Sequence, residues 1–178
     1  MSDSIKVRKI DKYILQKKIG QGSMGTIWLS HHIGLDLPVA VKLLKASLVE
    51  EDPEYIERFI QEGKLAGTIN HKNIIRIFDA GHEGQTYYMV MEYVGGGSFM
   101  DIIEKQGTLP PEMVLEYGII LCHALIEAHT HSVIHRDIKP ENIMLTKEGQ
   151  VKLSDLGLAK KIDDDYSSTM TGSAIGTP

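Results

Sequence analysis

The chain has 178 residues, of which 42% are hydrophobic and 24% charged, and this length and balance predict a globular domain with one core. The net charge of −5 argues against a nucleic-acid-binding protein that relies on an overall basic surface. No apolar run reaches the ~18–20 residues of a membrane span and the start has no signal-peptide core, so we expect a cytoplasmic protein, with a membrane anchor beyond residue 178 left open.

The first predicted elements are two strands joined by a glycine-rich loop. Residues 1–12 are polar, and we expect them to be a flexible, frayed segment. Residues 13–19 and 26–30 have strand patterns, and the loop between them has glycine at positions 20, 22 and 25. No helix start follows the third glycine, so the motif predicts a hairpin that lies over a nucleotide, not a dinucleotide-binding fold. A flexible hairpin tip is the alternative for the motif taken alone.

The next predicted strand contains a lysine. Residues 39–44 have the apolar pattern of a buried strand, interrupted by Lys42. A buried charge requires a partner, which makes Lys42 a candidate functional residue. The alternative is a lysine on an edge strand whose ammonium group reaches water.

A helix is predicted from about residue 53 to about residue 69. One face of it holds residues at three- and four-residue spacings, namely Phe59, Glu62, Leu65, Ala66 and Ile69. Glu62 is the charged member of that face, and Glu57 competes with it for a functional role. Gly63 and Gly67 each cost about 1 kcal/mol relative to alanine inside a helix. They therefore indicate a helix that is easily displaced.

Two more strands are predicted at residues 74–80 and 86–93, and helices follow. Three glycines at 95–97 predict a mobile connection. A short helix is predicted over residues 98–104, and a long one begins at the two prolines 110 and 111. The long helix is predicted to bury one face, formed by Val114, Tyr117, Leu121, Ala124, Leu125 and Ala128. Cys122 lies in the same apolar pattern, which predicts a buried and inert thiol.

The strongest motif is the run His-Arg-Asp-Ile-Lys-Pro-Glu-Asn at residues 135–142. Asp155, followed by Leu-Gly, comes thirteen residues after Asn142. An aspartate, an asparagine and a second aspartate at this spacing suit metal-assisted phosphoryl transfer, in which one carboxylate orients the incoming hydroxyl and the other two groups hold Mg²⁺ on the phosphates. The alternative is a polar loop between two strands.

These runs resemble the catalytic and metal-binding loops of protein kinases, and the glycine loop and Val-Ala-Val-Lys strand match the same family. The Asp-Ile-Lys-Pro-Glu-Asn sequence resembles the Ser/Thr type, in particular bacterial eukaryotic-like Ser/Thr kinases. The resemblance implies an α+β, bilobal fold with a small antiparallel-sheet lobe and an incomplete, mostly helical large lobe. Residues 13–94 would form the small lobe and hinge, and residues 95–178 the first part of the large lobe, truncated within the activation segment.

The resemblance also implies the catalytic roles. Asp137 would accept a hydrogen bond from the substrate hydroxyl, and Lys139 would lie near the γ-phosphate of ATP. Lys42 would contact the α- and β-phosphates and pair with Glu62. Mg²⁺, for which Mn²⁺ can substitute, would be held by Asn142 and Asp155.

A larger set of residues is implied to bind the nucleotide. The predicted contacts are Ile19, Gly20, Gln21, Gly22, Ser23, Met24, Gly25, Ile27, Ala40, Lys42, Met91, Glu92, Val94 and Met144. Among them, Ile27, Ala40 and Met144 would sandwich the adenine, and Met91 would stand at the back of its pocket. The backbone groups of Glu92 and Val94 would bond the adenine edge.

The end of the chain resembles an activation segment. Arg136, beside the catalytic carboxylate, requires an anion, which in related kinases is a phosphate on this segment. The spacing of Thr169 and Thr171 resembles that of bacterial Ser/Thr kinases, and this resemblance implies autophosphorylation at Thr169 or Thr171. Leu156 replaces the usual phenylalanine of the metal motif, which affects regulation and leaves the metal ligand unchanged.

The implied function is ATP-dependent phosphorylation of Ser/Thr hydroxyls on protein substrates, with a homodimer as a candidate assembly. We expect the 178-residue chain to be an N-terminal fragment of the catalytic domain, poorly stable and weakly active or inactive. Two alternatives remain open, a small-molecule phosphotransferase and a non-catalytic nucleotide-binding regulator.

Overall fold

The computed structural model describes residues 8–22, 24–47 and 53–156. In the helix that begins at residue 53, it leaves undescribed the side chains of residues 53–55, 58 and 62. The chain divides into two compact units. The first comprises Met1–Gly63 and Ile77–Tyr93, and the second comprises Lys64–Arg76 and Val94–Pro178.

The described part of the first unit contains a six-stranded antiparallel sheet. Its strands are β1 (Arg8–Ile10), β2 (Tyr13–Gln21), β3 (Gly25–His32), β4 (Leu37–Leu44), β5 (Ile77–Glu83) and β6 (Thr86–Glu92), and their order in the sheet is β1-β2-β3-β4-β6-β5. Helix α1 (Pro53–Gly67) begins in this unit, and the division between the units falls within it. The strands expected from the glycine motif, from Lys42 and from residues 86–93 are all present.

The side chains along the strands alternate between a face that packs in the core and a second face. The core contains Ile10, Tyr13, Leu15, Val39, Val41, Leu43, Tyr88 and Val90. Because successive side chains of a strand point to opposite faces, burial of Val39, Val41 and Leu43 places the intervening residues of β4 on the other face. Lys42 is therefore turned away from this core.

Strand β1 lies in the segment that the sequence predicts to be frayed. Arg8–Ile10 pair antiparallel with β2, and the side chain of Ile10 is only 4% exposed. A three-residue strand has too little local pattern to be predicted, because its stability comes from pairing and from burial against distant residues. The expectation of a flexible segment is therefore wrong for residues 8–10, and residues 1–7 lie outside the described chain.

Two tyrosines fasten the β1–β2 turn to the rest of the sheet. The Tyr13 hydroxyl donates to Asp79 Oδ2 at 3.0 Å, and the Tyr88 hydroxyl donates to Asp11 Oδ2 at 3.1 Å. Asp11 has a left-handed backbone, with φ of 49°, as a tight turn requires. Burial, followed by the hydrogen bond to Asp11, raises the pKa of Tyr88 to about 12, so this phenol remains a donor throughout the physiological range.

The second unit contains two helices and a small sheet in its described part. These elements are α2 (Phe99–Gln106), α3 (Pro111–Thr130), a 3-10 turn (Pro140–Asn142), β7 (Ile143–Leu145) and β8 (Val151–Leu153). Ser98 caps α2, since its hydroxyl accepts from the Asp101 N–H while the Asp101 carboxylate accepts from the Ser98 N–H. The Ser98 N–H, donating to that carboxylate, lowers the pKa of Asp101.

The core of the second unit joins α2, α3 and the small sheet. It contains Phe99, Ile143, Leu145, Val151 and Leu153, against which Tyr117, Ile120, Leu121 and Leu125 pack from α3. Asn73 also contributes, because its buried side-chain amide donates to Val151 O at 2.8 Å. The two-stranded sheet is therefore held both by the helices and by the segment around Asn73, which positions the loops at its ends.

Two expectations for α3 are wrong. Val114 is 51% exposed, and Cys122 is exposed as well. The rest of the predicted face is confirmed, since Ala124 and Ala128 are fully buried and Tyr117, Leu121 and Leu125 pack against the core. In a helix that is apolar almost throughout, the sequence pattern alone does not show where along the helix the cover ends, or that an apolar cysteine faces solvent.

The glycine run after Val94 is hydrogen-bonded, although its composition predicts a mobile connection. The Gly96 N–H donates to Leu145 O, and the Leu145 N–H donates to Gly97 O, each at 2.8 Å. These bonds attach the run to β7.

Within the ranges described, no helix is both long and apolar enough to cross a membrane.

Candidate active site

Four of the predicted nucleotide contacts share one face of the sheet in the first unit. In the strand register, Lys42 stands between Ile27 on β3 and Met89 on β6. Ala40 stands opposite Met91 in the same way. Directly opposed residues in an antiparallel sheet have their side chains on the same face. Ile27, Ala40, Lys42 and Met91 are therefore brought together on the face opposite the core.

The glycine loop forms the tip of the β2–β3 hairpin, as the sequence predicts. The Gly22 N–H donates to Gly25 O at 2.9 Å, and the Lys45 N–H donates to Met24 O at 3.0 Å. A Cβ on Gly25 would lie 1.9 Å from the carbonyl oxygen of Leu43, so only glycine fits there. A Cβ on Gly22 would meet no atom within 4 Å. Gly25 thus allows the hairpin to lie directly against β4, and Gly22 leaves the backbone accessible at the hairpin tip.

Four more residues in and beside this loop are predicted to contact the nucleotide. Gly20 lies opposite Ile27, and Gln21 is the last residue of β2. Ile19 is 43% exposed at a bulge in that strand, and Ser23 lies outside the described residues.

Glu62 lies in α1, with its side chain outside the described set. Its pairing with Lys42 therefore stays a prediction. Glu92 is the last residue of β6, and its partner in the register is Val39.

The predicted catalytic motif is held tightly in the second unit. The Asp137 side chain is 8% exposed, and its Oδ2 lies 2.8 Å from Lys139 Nζ. Asn142 Nδ2 donates to the same Oδ2 at 3.0 Å and to the Asp137 carbonyl at 2.8 Å. Charge and hydrogen bonding thus stabilise a nearly buried carboxylate and fix its direction.

The Asp137 carboxylate also changes the pKa of Lys139. The hydrogen bond to Asp137 raises the pKa of the Lys139 ammonium. Lys139 therefore remains a cation at neutral pH, next to the carboxylate.

His135 stabilises the backbone of the motif through two hydrogen bonds, a role that sequence reasoning missed. Its Nε2 lies 2.8 Å from Ser154 O, and its Nδ1 accepts from the Asp137 N–H at 3.3 Å. Both bonds form together only in the neutral imidazole protonated at Nε2. Burial lowers the pKa of His135, which favours this neutral form. The signal in the sequence was a histidine two positions before the carboxylate.

Ser154 joins the motif to the residues that follow β8. Its N–H and hydroxyl both donate to Asn142 O, at 2.8 and 3.0 Å. The backbones around Asn142 and Asp155 are therefore linked through one residue.

The predicted metal ligands have the chemistry that Mg²⁺ prefers. The side-chain amide nitrogen of Asn142 donates to Asp137. The amide oxygen of Asn142 therefore points away from Asp137. Asp155 is exposed and has a left-handed backbone, with φ of 59°. Among the described residues no group of three or more His, Cys, Asp or Glu side chains could hold a metal unaided. An amide oxygen and a carboxylate fit Mg²⁺ that is shared with substrate phosphates.

Two other predicted contacts belong to the second unit. Val94 is buried, and Met144 pairs with Lys152 across β7 and β8. Thr169 and Thr171 lie outside the described residues.

Comparison with known proteins decides the family. The model of the protein kinase domain matches residues 13–178. The chain belongs to the protein kinase family. The family resemblance and the bilobal α+β fold predicted from the motifs are therefore confirmed. Protein kinases as a family use ATP and Mg²⁺, and their substrates are proteins.

Similar kinases come from bacteria. Serine/threonine-protein kinase PknB of Mycobacterium leprae is 39% identical over 171 residues, and PknB of Mycolicibacterium smegmatis is 38% identical over 172 residues; each match covers 94% of this chain and 27% of the relative. Probable serine/threonine-protein kinase CPE1738 of Clostridium perfringens is 36% identical over 167 residues, covering 92% of this chain and 24% of the relative. The chain thus spans about a quarter of the length of these curated relatives. The roles given to individual residues remain predictions.

Proposed function

We propose that this protein is a serine/threonine-protein kinase that transfers the γ-phosphate of ATP to hydroxyl groups of protein substrates. The observation that carries the proposal is the Asp137 carboxylate, held by Lys139 at 2.8 Å and by Asn142 at 3.0 Å. A fixed carboxylate can orient an incoming hydroxyl, and a neighbouring cation can neutralise charge on the transferring phosphoryl group. The names of the bacterial relatives support the same activity.

In this proposal Asp137 accepts the hydrogen bond of the acceptor hydroxyl and takes its proton late in the transfer. Lys139 lies near the γ-phosphate, and Lys42 binds the α- and β-phosphates with Glu62 as its partner. The rate enhancement then comes from positioning and charge neutralisation, since the protein forms no covalent bond with the phosphoryl group.

Asn142 and Asp155 hold the metal ion in the proposal. Bound Mg²⁺ would neutralise phosphate charge, and Mn²⁺ can substitute for it because both prefer oxygen ligands. Ile27, Ala40 and Met144 are the proposed adenine contacts, and the glycine hairpin would cover the phosphates through its backbone N–H groups.

The decisive experiment compares two substitutions in the protein as its cell makes it. Asp137→Asn should lower phosphate transfer by about a thousandfold, a typical loss for a group of this kind, and leave ATP affinity within about twofold. Asp155→Ala should weaken Mg²⁺-dependent ATP binding itself. Phosphate transfer is followed with radiolabelled ATP and a mixture of protein acceptors, and binding by calorimetry.

Other outcomes of that assay select the alternatives. Full turnover by the Asp137→Asn protein would show that the base is assigned wrongly. Transfer to metabolites and not to proteins would favour a small-molecule phosphotransferase. Nucleotide binding without any transfer would favour a non-catalytic regulator. A homodimer is part of the proposal, and sedimentation at several concentrations tests it.

The proposal includes autophosphorylation at Thr169 or Thr171. Arg136, whose backbone is left-handed with φ of 64°, immediately precedes the catalytic carboxylate and would bind the phosphate. Mass spectrometry of active protein should find phosphate at one of the two threonines, and its absence from both would contradict this part of the proposal.

A further inference from the structure

Helix α1 approaches the sheet of the first unit through a glycine. Gly63 is buried, and a Cβ built on it would lie 3.1 Å from Ala80 Cβ and 3.1 Å from Met89 Cε. Carbon atoms in contact are most stable at about 3.5–4.0 Å. The helix backbone therefore lies closer to β5 and β6 than any residue with a side chain would comfortably permit.

The two neighbours of that missing Cβ differ in how they can respond. Met89 Cε is the end of a flexible side chain and can move aside. Ala80 Cβ is attached directly to the backbone of β5, so it can move only if the strand or the helix moves. Ala80 therefore limits the size of the residue that the helix can carry at position 63 while it keeps its present separation from the sheet.

One of these two neighbours, Met89, also lies next to Lys42, the predicted phosphate-binding lysine. Met89 is 5% exposed, and it stands opposite Ala80 in one strand register and opposite Lys42 in the other. The side chain that a larger residue at position 63 would displace is therefore the cross-strand neighbour of Lys42.

Gly67 offers an internal comparison. It is exposed near the end of the same helix, and a Cβ on it would meet no atom within 4 Å. Alanine favours the helix over glycine at both positions. Only position 63 adds a steric conflict, so the two substitutions separate helix propensity from packing.

We infer that Gly63 is a positioning residue that seats α1 at the separation from the sheet that the Glu62–Lys42 pair requires. Gly63 directly follows Glu62, so a displacement of the backbone at one residue moves the other. The inference rests on the proposed kinase activity, in which that pair fixes the phosphates of ATP. It also gives a reason for a helix-weakening residue at this place in the sequence.

The test uses four variants of the protein as its cell makes it, namely Gly63→Ala, Gly67→Ala, Ala80→Gly and the double variant Gly63→Ala/Ala80→Gly. Gly63→Ala should lower kcat about tenfold, because displacing catalytic groups by a fraction of an ångström has a cost of this order, and change KM for ATP by less than about threefold. Gly67→Ala and Ala80→Gly should remain within about twofold of the parent protein. The double variant should recover most of the lost kcat, since the opposing Cβ has been removed.

A second measurement does not depend on catalysis. The thermal unfolding midpoint of Gly63→Ala should fall below that of Gly67→Ala, and Ala80→Gly should be less destabilising in the presence of Gly63→Ala than alone. If the two substitutions act additively on the midpoint, the seating contact does not exist and the inference is overturned. If they are coupled in stability and Gly63→Ala retains full kcat, the contact is purely structural and the positioning role is overturned.

The same pair of measurements separates this inference from the proposed function. A parent protein that transfers no phosphate would refute the kinase proposal and, with it, the catalytic part of the inference. The coupling of the unfolding midpoints would still report whether Gly63 seats the helix.

Discussion

Asp137 is fixed from three directions by residues of its own loop. Lys139 and Asn142 contact the carboxylate, and His135 accepts from the backbone N–H of the same residue. A carboxylate that is 8% exposed would be costly to bury without such partners. The resulting arrangement depends on the protonation state of one imidazole.

Protonation of His135 should destabilise the fold as the pH falls. Burial lowers the pKa of His135 in the folded protein below the usual ~6.5, so the unfolded chain binds this proton first. The stabilising contribution of the neutral ring is complete above about pH 6.5 and is lost as the pH decreases toward the folded-state pKa. His135→Gln removes the titration, so the free energy of unfolding in urea should fall less between pH 7.5 and 5.5 than in the parent protein.

His123 provides the matched control, because it is an exposed histidine on α3. His123→Gln should leave the dependence of the unfolding free energy on pH unchanged. Equal pH dependence in His135→Gln and the parent protein would place the responsible group elsewhere.

The glycine hairpin combines two glycines with different physical requirements. The Gly25 backbone touches the Leu43 carbonyl, whereas Gly22 faces open space. Gly25→Ala should therefore destabilise the fold by about 1–3 kcal/mol, as overpacking commonly does. Gly22→Ala should leave the unfolding free energy within about 0.5 kcal/mol, as at most exposed sites.

Urea unfolding of the two glycine variants checks this prediction. ATP affinity adds a second readout, because the hairpin is proposed to cover the phosphates and a displaced Gly25 should weaken binding. Equal stabilities of the two variants would contradict the close approach of the hairpin to β4.

The elements that could be predicted are those whose signal is local. The strand around Lys42 is apolar except for that lysine, and the run that contains Asp137, Lys139 and Asn142 is compact enough to carry its own chemistry. Other features depend on residues far apart in sequence. The bond from Tyr13 to Asp79 spans 66 positions, and β1 exists because Ile10 is buried by such partners. Helix α3 and most of its covered face were predicted from periodicity, yet the exposure of Val114 and Cys122 depends on which neighbours cover the helix, which periodicity does not identify.

The face of α3 opposite its buried alanines is apolar and exposed. Leu115, Ile119 and Ile126 are 69%, 62% and 59% exposed, and their spacing of four and seven residues places them on one side of the helix with Cys122. Large exposed apolar patches promote association. This face therefore bears on how the whole 178-residue chain behaves in solution.

We predict that the chain of residues 1–178 self-associates through this face. Changing Leu115, Ile119 and Ile126 together to glutamine should lower both the average mass in sedimentation and the fluorescence of an apolar dye. A control with Glu112→Gln and His129→Gln, on the same helix, should change neither. Unaltered association in the triple variant would exclude this face as the cause.

Strand β1 lies beside a spectroscopic reporter on β3. Trp28 is the one tryptophan of the sequence, and the Arg8 guanidinium lies 5.6 Å from the centroid of its ring. The indole N–H donates to Thr26 Oγ1 at 3.0 Å, next to Gly25. The emission of a single unlabelled fluorophore therefore senses both the docking of the N-terminal strand and the base of the glycine hairpin. Detachment of β1 and nucleotide-induced movement of the hairpin can thus be followed in real time on the native sequence.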